Sequence, residues 1–308
     1  MENAMPSKEA EFINELFKNA LKEEGKGYEQ EREEGRKRAK RELPEGMTLK
    51  ELELNGCYAE LIEKPGNNGP LVIYIHGGGF KTGDARERRE ITFEIAKEYG
   101  SNVISVNYRL APENKWPAQL EDCVGIYKEI LSMGYDPADL VLMGESAGGS
   151  LVVATILYLL DNNMPIPKAG VVYSCSINHG GHFRSHFDNI ATDYMLGDAV
   201  SRDDDIPELY GEGLRGIEES KSRYASPYAA DFTGFPPIFI AVSDSEALYD
   251  DSVILYDRLQ EAHVYSKLHV GHDLIHAYPI FHTLPESIET MKETFEFIAS
   301  IDQRKQKK

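Results

Sequence analysis

The chain of 308 residues predicts an α/β fold, a mostly parallel sheet with helices on both faces. Three observations predict it. Continuous apolar runs such as Leu71-Val72-Ile73-Tyr74-Ile75 have strand length and no polar alternation, the mark of strands buried on both faces. Such runs alternate with segments of helical period, which is the pattern of parallel strands joined by crossover helices. The stretch from Asp139 onward reads as strand, sharp turn and buried helix. Leu140 to Met143 are apolar, Gly144-Glu145-Ser146-Ala147-Gly148 follows, and Leu151 to Leu160 is apolar almost all round.

In chain order, residues 8–24 read as an amphipathic helix with Phe12, Ile13, Leu16, Phe17 and Leu21 on one stripe and Ser7 as N-cap. Residues 28–42 are charged throughout, a solvated helix held by i,i+4 pairs. Both segments are expected to fold back over a site, and Pro44-Glu45-Gly46 ends them. Thr48 to Leu54 alternates, Asn55-Gly56 is a strong hairpin turn, and Tyr58 to Glu63 is the returning strand. After a Pro/Gly/Asn loop come strand 71–75, helix 87–99, strand 102–107, helix 117–133, the stretch around Ser146, and strand 168–174.

Ser176 to Tyr228 breaks this rhythm. It is polar, weakly periodic and too long for a connection, so it reads as an inserted cap with short helices. The core resumes with strand 238–242, helix 246–262, strand 266–270 and helix 285–301, and the charged tail 303–308 is expected to fray. The organisation is therefore cap helices over 1–45, core over 46–175 and 229–308, and cap insertion over 176–228. No internal repeat is visible.

A formal net charge of −19 argues against nucleic acid or an anionic membrane surface as partner. No apolar stretch reaches about 18 residues, so no membrane span is expected. Cys57, Cys123 and Cys175 are odd in number and widely spaced, which suits a reducing compartment, and a cytoplasmic location is expected. The first residues lack a basic segment followed by an apolar run, so no signal peptide is expected.

The chemistry centres on Ser146. Gly-x-Ser-x-Gly between a buried strand and a buried helix is the context of a nucleophile elbow, in which a strained serine is pushed out above a helix N-terminus. Gly144 and Gly148 let strand and helix approach. His76-Gly77-Gly78-Gly79-Phe80 ends an earlier strand, where a glycine run exposes backbone N–H groups to a ligand. It is not a phosphate loop, since no Gly-Lys-Ser/Thr follows. The two motifs in this order are far more specific than either alone.

With Tyr108-Arg109-Leu110-Ala111-Pro112-Glu113, Ser226-Pro227-Tyr228 and the His276 region, they make the chain resemble the hormone-sensitive-lipase-like family of α/β-hydrolase esterases. The likeness runs from about Leu43 to Ile301. It implies an eight-stranded, mostly parallel sheet, and a cap built from the N-terminal helices and the insertion after Ser174. It also implies an oxyanion hole made by the N–H groups of Gly78, Gly79 and Ala147. Cis peptides before Pro112 and Pro117 are expected by the same likeness, and a homodimer through the edge strand near Ser266 to Val270. Arg109 and Glu113 read as structural, bracing one another across a turn. The cap matches the family poorly, so substrate preference does not carry over.

Nine histidines compete for the role of base. His76 belongs to the glycine loop. His179, His182 and His186 lie in the cap with loose metal-like spacing but on no helix face, and no metal is expected there. His272 and His276 both follow the last strand, where the chain order Ser, acid, His requires the base. Leu274-Ile275-His276-Ala277-Tyr278 fits the family pattern, so His276 is favoured. Four carboxylates follow strand 238–242: Asp244, Glu246, Asp250 and Asp251. The family acid opens a run of acid, any residue, Leu, any residue, Asp. Glu246-Ala247-Leu248-Tyr249-Asp250 is in that register, Asp244 is the alternative, and Asp250 and Asp251 fall in the first turn of the next helix.

The expected protein is a serine carboxylesterase of short- to medium-chain acyl esters, working through an acyl-enzyme without metal or organic cofactor. Its only expected partner besides a second copy is a small-molecule ester. A deacetylase of acetylated sugars, a lactonase or a peptidase on the same fold is the alternative. So is a non-catalytic small-molecule binder, against which the presence of Ser146, a following acid and His276 counts.

Overall fold

A computed structural model describes residues 5–20, 27–202 and 205–305. The expected start of the chain, Leu21 of the apolar stripe and the last three residues lie outside the described residues. The hairpin forms as its turn residues dictate. Asn55 and Gly56 both have positive φ, and Leu54 pairs with Cys57, so β1 (Thr48–Leu54) and β2 (Cys57–Glu63) are joined by a two-residue turn.

The following strands are β3 (Leu71–Ile75), β4 (Val103–Val106), β5 (Leu140–Glu145), β6 (Ala169–Tyr173), β7 (Ile238–Ser243) and β8 (Ser266–Gly271). They make one eight-stranded sheet in the order β1-β2-β4-β3-β5-β6-β7-β8. Only the β1/β2 and β2/β4 pairs are antiparallel. From β4 to β8 every pair is parallel.

Period-2 alternation sorts the buried side chains to the two faces. Leu71, Ile73 and Ile75 join Leu140 and Leu142 under α4 (Ala118–Ser132), α5 (Ala147–Asp161) and α9 (Tyr249–Glu261). Val72 and Tyr74 join Val141 and Met143 under α3 (Arg89–Glu98) and α10 (Pro285–Lys305). Helix α5 has no wet face over most of its length, as its composition requires.

The chain leaves β3 toward β4 and returns on the other side as β5, so the strand order reverses between β3 and β5. Open α/β sheets bind ligands at such a reversal, beyond the carboxyl ends of the strands. The His76–Phe80 loop and Ser146 lie just beyond the carboxyl ends of these two neighbours.

Helix α1 (Lys8–Ala20) is capped by Ser7, whose Oγ accepts from the Ala10 N–H. Its stripe is only half covered. Ala10 packs with Leu274, Ile275 and Tyr278, and Ile13 and Phe17 join them, while Phe12 and Leu16 face solvent. Helix α2 (Tyr28–Arg38) is the expected charged helix. Between β6 and β7 the chain forms α6 (Ser185–Asp188), α7 (Asp205–Tyr210) and α8 (Gly213–Ser220), short helices as expected.

Three local expectations are corrected. Helix α9 begins at Tyr249, not Glu246, because residues 246–248 form a turn in which Glu246 folds back onto the Ser243 N–H. The tail does not fray from residue 303, since α10 continues to Lys305 and Arg304 stacks over the Tyr265 ring. Arg109 and Glu113 do not brace one another. Arg109 grips the buried Asp122, and Glu113 binds Arg32 of α2. The peptides before Pro112 and Pro117 are both cis.

Candidate active site

Ser146 sits between β5 and α5 with φ 52° and ψ −126°, a conformation that L-residues rarely adopt. Its surroundings force it there. A Cβ on Gly148 would lie 2.1 Å from the Ile75 carbonyl oxygen, and one on Gly144 would lie 2.6 Å from the Gly148 backbone. Only glycines let the elbow press this closely against β3.

The glycine loop after β3 lies against the elbow. A Cβ on Gly77 would be 3.0 Å from the Ser146 Cβ. Gly78 and Gly79 have φ of 120° and 59°, outside the range that β-branched residues tolerate. Gly79, Ala147 and Ser146 line one cavity, and Gly78 precedes Gly79 in the loop.

A group that sequence reasoning overlooked locks the loop to the elbow. Glu145, buried at the end of β5, accepts from the Gly77 N–H (2.6 Å), Arg88 Nε (2.6 Å) and Tyr74 Oη (2.6 Å). A carboxylate closing an otherwise apolar strand was the visible signal. Burial of such a charge is tolerated because three donors meet it, one of them a cation. His76 is not a base here. Its ring stacks on Tyr108, Nδ1 bonds the Gly77 carbonyl, and burial pushes its pKa down to about 4.

The loops after β7 and β8 meet beside the elbow. Glu246 and His276 are both buried. Glu246 Oε2 lies 2.6 Å from His276 Nδ1, and Oε1 accepts from Ser243 N–H (2.7 Å) and Ser174 Oγ (2.8 Å). Ser174 Oγ in turn accepts from the Ala277 N–H, tying the histidine loop to the end of β6. His276 Nε2 is buried and has no protein partner among the described residues. Burial disfavours the imidazolium, but the adjoining Glu246 carboxylate outweighs it and holds the His276 pKa above its ordinary value.

The two alternatives pair with one another instead. Asp244 Oδ2 lies 2.6 Å from His272 Nδ1 at a partly exposed position. Asp250 accepts from the Ser185 N–H, and Asp251 accepts from the Ile177 N–H and meets His186 Nε2 at 2.6 Å. Of the three cap histidines, His186 is thus committed to a carboxylate. Among the described residues no group of three or more His, Cys, Asp or Glu could hold a metal ion.

The cavity at Ser146 has a volume of about 170 Å³. Its floor is the elbow and the glycine loop, and its walls come largely from the segment between β6 and β7, including His182, His186, Leu196, Ile206 and Tyr210. Helices α1 and α2 do not line it. They brace the loops from outside: Asn14 donates to the Asp273 carbonyl, and Arg32 donates to the carbonyls of Lys81 and Ala111.

Fold and elbow define the class of protein, a hydrolase of the α/β type. The family model described as the alpha/beta hydrolase fold matches residues 72–280. An acetyl-hydrolase of Streptomyces hygroscopicus is 30% identical over 231 residues, 75% of each chain. The esterase LipU of Mycobacterium tuberculosis is 27% identical over 263 residues, 83% of this chain and 88% of that one. Among solved structures, an esterase from the bacterial hormone-sensitive lipase family superposes with a TM-score of 0.84 at 30% identity, covering 96% of this chain and 98% of the other. The chain belongs to the α/β-hydrolase family, among the hormone-sensitive-lipase-like esterases, and is a carboxylic ester hydrolase. No helix among the described residues is long and apolar enough to cross a membrane.

Proposed function

We propose that this hydrolase cleaves small acyl esters through an acyl-enzyme, with Ser146 as nucleophile, His276 as base and acid, and Glu246 as the orienting carboxylate. One observation carries the reading. His276 is held by Nδ1 on a buried carboxylate while Nε2 stays buried and unbonded, the tautomer and orientation needed to accept a proton from a serine hydroxyl.

The steps follow. Ser146 Oγ attacks the acyl carbonyl as His276 Nε2 takes its proton. The oxyanion lies on the N–H groups of Gly78, Gly79 and Ala147, where donors fixed in advance strengthen as charge develops. His276 returns the proton to the leaving alcohol, and the acyl group stays on Ser146. Water then gives a proton to His276 as it attacks the acyl carbon. Ser146 recovers that proton, and the acid departs.

Residues 1–45 and 176–228 serve as the cap over a core of 46–175 and 229–308. The cavity of about 170 Å³ is well below the roughly 300–1,000 Å³ of sites for drug-sized ligands, which supports a short acyl group. Acetyl esters of a larger alcohol are favoured by the named activities of relatives, an acetyl-hydrolase and a versiconal hemiacetal acetate esterase. The unpaired thiols of Cys57, Cys123 and Cys175 support a cytoplasmic location. The exposed edge strand β8, with Val270 toward solvent, supports pairing of two copies.

A fluorophosphonate probe should label Ser146, as mapped by mass spectrometry, and a series of esters from acetate to octanoate should be cut fastest at the short end. Absence of the label overturns the nucleophile, and preference for octanoate overturns the short-acyl reading.

A further inference from the structure

The segment between β6 and β7 does more than wall the cavity. It rests on the turn that carries Glu246 through a set of hydrogen bonds that the proposed mechanism does not use. Asn189 Nδ2 donates to the carbonyls of Asp244 (3.0 Å) and Glu246 (2.7 Å). Thr192 Oγ1 donates to the Ser245 carbonyl (3.0 Å). Asp193 Oδ2 accepts from the Ala247 N–H (2.9 Å), and its Oδ1 accepts from the N–H groups of Met195 and Leu196. Asp193 is only 2% exposed, and no cation pairs with it among the described residues. A buried carboxylate without a counter-ion costs several kcal/mol unless something favours its charge.

We propose that Asn189 and Asp193 are positioning residues for the catalytic pair. Asn189 holds the carbonyls of Asp244 and Glu246, and Asp193 holds the Ala247 N–H that follows Glu246 and brings a second buried carboxyl group near the pair. The inference rests on the assignment of those two residues. It makes the insertion part of the catalytic apparatus as well as the substrate wall. The titratable groups that face His276 are Glu246 from the loop after β7, Asp193 from the insertion and Glu145 from the end of β5. All three are carboxyl groups. Each of them favours an imidazolium, and Glu145 is also in contact with Arg88, so Asp193 is the one held by backbone N–H groups alone.

The test uses the full chain, an acetyl ester of p-nitrophenol, and four variants. Asp193→Asn keeps the size and removes the charge. It should lower kcat about tenfold with KM within about twofold, and move the acidic limb of the kcat/KM profile to lower pH by about half a unit or more. Asn189→Ala keeps the charge and removes two donors. It should lower kcat with KM unchanged and leave the acidic limb in place. Glu246→Gln and Asp244→Asn report separately on the underlying assignment. If Glu246→Gln is active and Asp244→Asn is not, the assignment of the acid has failed. If Glu246→Gln is inactive while Asp193→Asn keeps its kcat and its acidic limb, the assignment stands and the role of Asp193 is overturned. Should Asp193→Asn fail to fold, Asn189→Ala decides: a kcat equal to wild type overturns the inference, and a selective loss of kcat supports it.

Discussion

Replacement of Glu246 by glutamine tests the site most sharply, because the structure dictates which way the amide must face. Oε1 accepts from two donors that are not His276, the Ser243 N–H and the Ser174 hydroxyl. The amide oxygen must take that side, since an NH₂ there would confront the Ser243 N–H. The NH₂ group is therefore turned toward His276 Nδ1. A donor opposite Nδ1 demands an unprotonated Nδ1 and moves the proton to Nε2, the nitrogen that has to receive the proton of Ser146. The imidazole is trapped in the wrong tautomer, and the negative charge that favours its cation is gone. The same change of carboxylate to amide in a serine protease triad costs about 10⁴ in kcat. A loss of that size corresponds to about 5 kcal/mol of transition-state stabilisation. The assay is turnover of a p-nitrophenyl ester at saturation, with thermal melting to show that the buried turn still folds. A loss of less than about tenfold with an intact fold would refute the reasoning. Asp244→Asn should change kcat little, because Asp244 faces His272 at a partly exposed position.

Three further outcomes are expected. Gly78→Val should lower turnover by about 10²–10³ or more, because its Cβ would meet the Thr82 carbonyl oxygen at φ 120° and losing an oxyanion donor costs about that much in rate; turnover is compared at matched folded fraction. Ser146→Gly should raise stability by about 1 kcal/mol while abolishing activity, because it releases a serine held at φ 52° and ψ −126°; urea titration measures it. The kcat/KM profile should fall as pH drops through the His276 pKa, because the protonated ring cannot accept the proton of Ser146. Burial opposes that protonation but Glu246 outweighs it, so the midpoint should lie above the ordinary 6.5, and a midpoint below 6.5 contradicts the pairing.

Much of this protein is legible in local sequence, where the cause of a structure lies within a few residues. The Asn55-Gly56 turn needs only two residues with positive φ, and its register follows. The elbow needs a buried strand, two glycines and a helix that is apolar all round, all within about 20 consecutive residues. The eight-stranded sheet follows from apolar runs that are too short for helices and too continuous for half-exposed strands.

What the tertiary structure decided is which polar group meets which. Four carboxylates between Asp244 and Asp251 and two histidines at 272 and 276 have similar local chemistry. The turn at 246–248 delivers Glu246 to His276, Asp244 to His272 and Asp251 to His186. Long side chains mislead for the same reason. Arg109 and Glu113 are close in sequence, yet they reach Asp122 and Arg32, because a charge settles on whichever partner the packed backbone brings within reach. The segment between β6 and β7 was the least legible. Its contacts with the Glu246 turn are hydrogen bonds from Asn189, Thr192 and Asp193, and such bonds leave no hydrophobic period for a sequence to display. Apolar burial is written along the chain as a repeat, whereas the pairing of buried polar groups exists only once distant segments are in place.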